Sequence, residues 1–355
     1  MRILVIALPG IGDALLFTPA ASLIRQNLPD SEMDALVMFK GAKDIYEQTG
    51  LFNKIYYHDF FHTTRVSSLK FVLGLRGKYD VSLNIYPSNR REYNLIQFLI
   101  GAGKRGAVKY LRRDFLQAGF LNSVRLTESD LLHNVEENVA LCEKLFGFKA
   151  SEIPDIMLPL TEKEVRDAEN FLGSEKIDRE NCIVGFHAGG STLKNHINKR
   201  WEPQKFVELG SLLIREPRAK LLIFGGNDEV NVNEEIAKAI GSENVILAKT
   251  QSIIQTAALI KRCDLFVTND SSLMHIASAM KRKVIAVEGP LNLNYTRPWH
   301  TDYEIASLFL DCSPCFVYSP RPLICSRIDI KFKCLRELPV EMVYQKTIRL
   351  LDKKS

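Results

Sequence analysis

The chain has 355 residues, 46% of them apolar and 25% charged, which is the composition of an ordinary globular protein with room for two separately cored domains. Every long apolar stretch is broken by glycine, proline or a charge before the roughly 18 residues a membrane helix needs, and the N-terminal run meets Gly10 and Asp13 too early for a signal peptide. A cytoplasmic protein is expected. The net charge of +5 is too small to single out a nucleic-acid binder, yet it favours acidic small molecules or an anionic membrane surface.

In the first half, strand and helix patterns alternate. RILVIAL, DALVMF, KIYYH and YDVSLNIY predict short strands, and AKDIYEQTG, SSLKFVLGLRGK and REYNLIQFLIGAG predict helices between them. The helix after Asp13 meets Thr18-Pro19, where it either kinks or restarts. A further helix, NVEENVALCEKLFG, ends at Gly147, and the proline-containing IPDIMLPLTEKEV follows as the linker candidate. The pattern then restarts. CIVGFHAGG, AKLLIFGG, NVILAK, DLFVTND and KVIAVEG predict strands, separated by the helical EPQKFVELGSLLI, NVNEEIAKAI, IIQTAALIKRC and SSLMHIASAM; VEMVYQKTIRLLD predicts a closing helix. Such alternation implies α/β architecture, with two successive open parallel sheets and ligands at the carboxyl ends of the strands.

Four places carry chemistry. The first is the turn Gly10-Ile11-Gly12-Asp13, which lacks the third glycine of a dinucleotide fingerprint and has Lys40, not an acid, after the second strand. Asp13 reads both as a helix cap and as a carboxylate placed to accept a proton. In the second, Gly189, Gly190 and Ser191 lie at a strand tip with Lys199 and Arg200 on the same loop, a combination that suits a diphosphate and also describes a solvated basic pair. The third is a strand ending at Asp270, where Ser271 and Ser272 can cap the next helix and His275 sits about one turn inside it, an anion pocket at a helix start. The last is NRREYNLIQFLIGAGKRGAVKYLRR, which gathers Arg90, Arg91, Lys104, Arg105, Lys109, Arg112 and Arg113 among aromatic residues. In addition Cys312, Cys315, Cys325 and Cys334 form C-x2-C-x9-C-x8-C, whose leading pair has the spacing of a structural metal knuckle.

GIGDALLFTPA, KRW, FGGNDE, NDSSLMHIA and the GP after VIAVE occur in an order that resembles glycosyltransferase family 9, the ADP-heptose:lipopolysaccharide heptosyltransferases. The resemblance spans nearly the whole chain. It implies a GT-B fold, two Rossmann-like doubly wound domains facing a central cleft, with residues 1–155 binding the acceptor, 156–335 binding the nucleotide sugar, and the 336–355 helix packing back across the domains. It also implies that Asp13 is the general base, that Lys199 meets the diphosphate, that Glu229 holds the ribose, and that Asp270, Ser271, Ser272 and His275 form the nucleotide-sugar motif. Two departures touch donor choice: Ser272 stands where the family has glycine, and Leu291-Asn292 replace a common Thr-Asp.

The implied reaction is an inverting transfer of heptose from ADP-heptose to an acidic, lipid-linked inner-core acceptor at the inner membrane. Asp13 takes the acceptor proton while Lys199, the helix start and His275 offset the leaving diphosphate. No metal or other cofactor is called for, in keeping with the absence of an Asp-x-Asp pair near the phosphate motifs. Gly10, Gly12, Arg90, Arg91, Arg112 and Arg113 are the acceptor-side candidates. Alternatives are the same fold acting on another nucleotide sugar, surface glycan or protein, a nicotinamide oxidoreductase, and a metal- or nucleic-acid-binding module.

Overall fold

A computed structural model describes residues 1–112, 114–216, 218–319 and 321–353. It divides into two compact units, residues 1–159 with a short segment around Tyr318, and residues 160–317 with the chain from Arg321 onward.

The first unit is a parallel sheet of six strands, β1 (Arg2–Ala7), β2 (Glu32–Val37), β3 (Lys54–Tyr57), β4 (Val81–Asn84), β5 (Lys104–Lys109) and β6 (Val124–Thr127), in the order β3-β2-β1-β4-β5-β6. The second unit repeats this plan. Its strands β7 (Cys182–His187), β8 (Ala219–Ile223), β9 (Val245–Leu247), β10 (Leu265–Asn269), β11 (Lys283–Val287) and β12 (Tyr303–Ala306) run in the order β12-β11-β10-β7-β8-β9. All neighbouring strands pair in parallel. Helices flank both sheets, so β1, β7 and β10 are buried on both faces and read as unbroken apolar runs.

Thr18-Pro19 marks a restart rather than a kink. A short helix, Ile11–Leu16, ends at Phe17, and Thr18–Asn27 begins anew with proline in its first turn. The Thr18 hydroxyl donates to the Leu15 carbonyl (2.8 Å) and accepts from the Met157 amide (2.9 Å), which pins the junction. Strands β5, β6 and β12 are absent from the sequence expectation. β5 starts with two cations and a glycine, and it exists because Gly106 lets Leu145 close over the sheet: a Cβ there would stand 2.9 Å from the leucine side chain.

The closing helix, Val340–Asp352, spaces Val343, Thr347 and Leu350 along one buried stripe. It packs on β10, β11, β12 and the helix Pro203–Leu213, joining the core built on Phe186, Trp201 and Phe206.

One buried acid of the first unit works against folding. Glu137, on helix Asn134–Phe146, is fully buried; Oε1 accepts from the Ser129 amide (2.5 Å) while Oε2 meets no donor. Burial lifts its carboxyl to about 7, opposed by the Ser129 amide and reinforced by the charges of Glu128 and Glu136. A raised folded pKa costs nothing below the unfolded value of about 4.5 and costs up to about 3 kcal/mol once the pH has passed well above 7. Glu137→Gln should therefore raise Tm by several degrees at pH 8.5 and hardly at all at pH 5, measured by calorimetry. An equal shift at both pH values would contradict this cause.

Candidate active site

In each sheet the strand order reverses direction once, between β1 and β4 in the first unit and between β7 and β10 in the second. Loops leaving adjacent strands diverge there and open a crevice at the carboxyl ends, where doubly wound sheets take ligands. Several residues expected from the sequence fall on these loops: Gly10 to Asp13 follows β1, Arg90 follows β4, Gly189 to Arg200 follows β7, and Asp270 to His275 follows β10.

The second unit's site is organised by Glu229, a buried carboxylate on the turn after β8. Its Oε1 accepts from the Gly190 amide (2.6 Å) and lies 3.5 Å from Arg200 Nη2; its Oε2 accepts from the Gly226 amide (2.9 Å) and from His187 Nε2 (3.1 Å). Because an ionised carboxylate only accepts, Nε2 carries a proton, and Nδ1 of the same ring lies 2.9 Å from the Ser271 hydroxyl. Burial opposes ionisation of Glu229, but His187 and the two amides outweigh it and bring the carboxyl down to about 2. The loop is shaped for this. A Cβ on Gly189 would fall 1.7 Å from Glu229 Oε1, and Gly190 has φ of +142°.

The Gly190 amide donates to Glu229, Ser191 is exposed, and Glu229, expected at a ribose, has both oxygens bonded within the fold. His187, which connects Glu229 to Ser271, was not foreseen. Neither was Asn269, whose Oδ1 accepts from the Trp201 amide (2.9 Å) and whose Nδ2 donates to the carbonyls of Ala188 (2.8 Å) and Gly189 (3.1 Å). With Trp201 anchored in the core, the preceding Lys199 and Arg200 are held at the crevice.

There Lys199 pairs with Asp270, both side chains largely buried, and its ammonium stands 4.9 Å from the Phe316 ring centre. Burial opposes charge on Asp270, yet Lys199 holds its carboxyl below the usual range. Ser271 is the N-cap of helix Ser272–Ala279, but its side chain makes no cap bond, since it turns to His187. Ser272 begins the helix. The first-turn amides are thus left uncapped by that side chain, and His275 Nδ1 and Arg200 Nε are buried without partners. Burial drops His275 to about 4, with Asp270 opposing and Lys199 adding to the fall. His275 is therefore neutral at pH 7 and supplies a hydrogen-bonding atom, not the positive charge expected of it.

Beside this crevice a cavity of about 270 Å³ lies over the ends of β8 and β9, lined among others by Gly226, Asn227, Asn233, Lys249, Thr250 and Gln251. Glu229 joins the two, since it bonds Gly226 on the cavity wall and Gly190 on the loop after β7.

In the first unit, Asp13 Oδ2 accepts from the Gly10 amide (2.8 Å), and Gly12 sits half-buried between them in the same turn. The Asp13 charge reaches three buried phenols, Tyr46, Tyr93 and Tyr110, which burial and this charge both push up. Arg90 lies 5.4 Å from the Tyr93 ring centre and within electrostatic reach of Tyr110, so the fold gathers Asp13 and Arg90 around the same two tyrosines. Arg91 is exposed in the first turn of the next helix. Arg112 forms a two-point pair with Asp130 (3.0 and 2.7 Å), and Arg113 lies outside the described residues. The basic stretch is not one patch. Lys104 and Arg105 start β5, at the opposite end of the strand from Lys109, and bond the carbonyls of Leu145, Leu121 and Ala102.

The four late cysteines are neighbours by their mutual effect on one another. Arg327 Nη1 meets the Cys312 sulfur at 3.5 Å and the Phe332 amide meets that of Cys325 at 3.3 Å. Burial first, and the other thiols second, push Cys334 up to about 11, the reverse of a ready thiolate. Among the described residues no group of three or more His, Cys, Asp or Glu is arranged to hold a metal ion, so the proposed knuckle finds no support in the geometry. No described helix is long and apolar enough to cross a membrane.

Two doubly wound sheets of this order, with an ionic crevice and adjoining cavity in the second, define the architecture of a GT-B glycosyltransferase. Residues 69–322 match the model of glycosyltransferase family 9 (heptosyltransferase), and the chain belongs to that family. It is 28% identical over 311 residues to the lipooligosaccharide heptosyltransferase 2 of Haemophilus influenzae, covering 84% of this chain and 86% of that one. The fold is shared with the ADP-heptose LPS heptosyltransferase II of E. coli (TM-score 0.75, 21% identity, 99% and 98% of the two chains). It is also shared with the E. coli heptosyltransferase WaaC solved with ADP (TM-score 0.69, 16% identity, 99% and 100%).

The Glu229 network carries a stability consequence. A carboxyl depressed from about 4.5 to about 2 adds roughly 3 kcal/mol above the unfolded value, all of it lost as the pH falls through the folded one. Glu229→Gln should lower Tm clearly at pH 7 and much less at pH 2.5. An unchanged Tm at pH 7 would show that the network does not brace the fold.

Proposed function

We propose that this glycosyltransferase moves a heptose from ADP-heptose to an inner-core lipopolysaccharide acceptor by inverting displacement without a required metal. The observation that carries the reading is the helix start at Ser272, uncapped by Ser271, beside Lys199, Arg200 Nε and His275 Nδ1, at the point where the second sheet reverses. Donors and cations converging at a helix N-terminus suit a diphosphate. The relatives named for heptose transfer, and the one solved with ADP, support the choice of donor.

In this account the adenosine occupies the cavity over β8 and β9, and the diphosphate rests on the first turn of helix Ser272–Ala279, with Ser272 setting how near it comes. Lys199 exchanges Asp270 for phosphate oxygens. As the acceptor hydroxyl attacks the anomeric carbon, its proton passes to Asp13, and the bond to the diphosphate breaks with its electron pair going to the phosphate oxygen. Lys199 and the helix amides take up that charge. Gly10 and Gly12 let the acceptor approach the Asp13 turn, and Arg90, Arg91 and Arg112 attract its phosphates and the anionic cytoplasmic face of the inner membrane. Asp130 moderates the share of Arg112.

A mass-spectrometric assay offering ADP-heptose and a lipid A-Kdo acceptor tests this. Product should gain one heptose, and Asp13→Asn should lower turnover by about 100-fold or more while ADP affinity stays within a few-fold. Transfer from UDP-sugars alone would overturn the donor assignment, and unchanged turnover would leave Asp13 a structural role in its turn.

A further inference from the structure

Glu288 is the residue after β11. The parallel register that pairs Asn269 with Val287 carries on to set Asp270 and Glu288 at adjacent strand ends. Its amide donates to the Ala306 carbonyl (2.9 Å), and its side chain is only 2% exposed with the whole residue. Oε2 has no hydrogen-bond partner. The following Gly289-Pro290 holds the loop that bears Phe316, through bonds from the Cys315 and Phe316 amides to the Pro290 carbonyl (3.0 and 2.9 Å), and Phe316 in turn covers Lys199. Glu288 thus stands at the back of the crevice formed by Lys199, Asp270 and His275. A buried carboxyl oxygen left without a partner is costly, as it is at Glu137, but that of Glu288 belongs to a side chain within reach of Lys199 and Asp270.

We propose that Glu288 is a further donor-binding residue, making a hydrogen bond from its free carboxyl oxygen to an oxygen of the sugar diphosphate. This rests on the second unit's crevice being the nucleotide-sugar site. The groups within electrostatic reach of Glu288 are Asp270 at the end of β10 and Lys199 on the loop after β7. Burial and the Asp270 charge both raise its carboxyl well above the usual range, and Lys199 opposes them. Both effects favour the protonated carboxyl, the form that can donate to an anion where an ionised carboxylate would repel it. No proton is transferred in this role. It also explains how an acid can sit in a crevice otherwise built for phosphate.

A residue that serves the ligand and not the fold leaves opposite signs in two measurements. Glu288→Met keeps the length and removes the polar atoms. It should raise the Tm of the ligand-free protein, because an unpaired buried oxygen is lost, and weaken ADP binding by roughly tenfold in isothermal titration calorimetry, the scale of one hydrogen bond to a charged group. Glu288→Gln keeps an N–H donor and should recover most of that affinity. Lower Tm with weaker binding in the Met variant would assign Glu288 to the fold and overturn the proposal. Unchanged ADP binding in Met, or an equal loss in Gln and Met, would overturn it as well. If the unaltered protein itself fails to bind ADP, the donor-site reading falls and this proposal with it, an outcome distinct from the others.

Discussion

A carboxylate buried beneath a sheet end must find several donors or give up its charge, and in the second unit Glu229 finds them at the end of β7 and on the turn after β8. Amides of the loops after β7 and β8 and the His187 ring all bond its two oxygens. That requirement dictates much else. Gly189 must be glycine because the carboxylate lies where a side chain would begin, and the loop after β7 is drawn over the sheet instead of being left free in solvent. His187 then passes the constraint to Ser271, whose hydroxyl turns away from the helix it precedes. Bracing the crevice and opening a helix start to an anion follow from the same set of bonds.

Charge in the crevice is balanced before any ligand arrives. Lys199 and Asp270 neutralise each other, His275 is uncharged, and burial beside Asp270 disfavours charge on Glu288. Under the proposed function, an entering diphosphate draws Lys199 from a partner that remains close by. The ion pair stores the lysine in place. Fixing donors before binding is how a site favours developing charge without having to reorganise during reaction.

Much of this was legible in the sequence, for physical reasons that also explain the gaps. Strands buried on both faces are continuous apolar runs, so β7, β8, β10 and β11 could be read directly, and the closing helix shows its period in Val343, Thr347 and Leu350. Three strands carry no such signal. β6 and β12 are four-residue edges with half-exposed faces, and β5 opens Lys-Arg-Gly. Motif order singled out Asp13, Lys199 and the Asp270–His275 segment, and the fold sets each of them just after the carboxyl end of a strand. What motif order could not reveal was which polar groups satisfy one another. His187 and Asn269 read as part of their strands, and Glu288 reads as a charge leaving one; only the tertiary fold buries them and decides their partners. The same limit explains why the basic stretch looked like a single patch.

The central claim is that the Glu229 network leaves the start of helix Ser272–Ala279 open as a diphosphate seat. A crystal structure of the protein with ADP tests it most directly. Phosphate oxygens should lie about 3 Å from the first-turn amides and from Lys199 Nζ, with the adenosine between Gly226 and Thr250. Phosphates bound away from that helix start, with Lys199 still paired to Asp270, would contradict it.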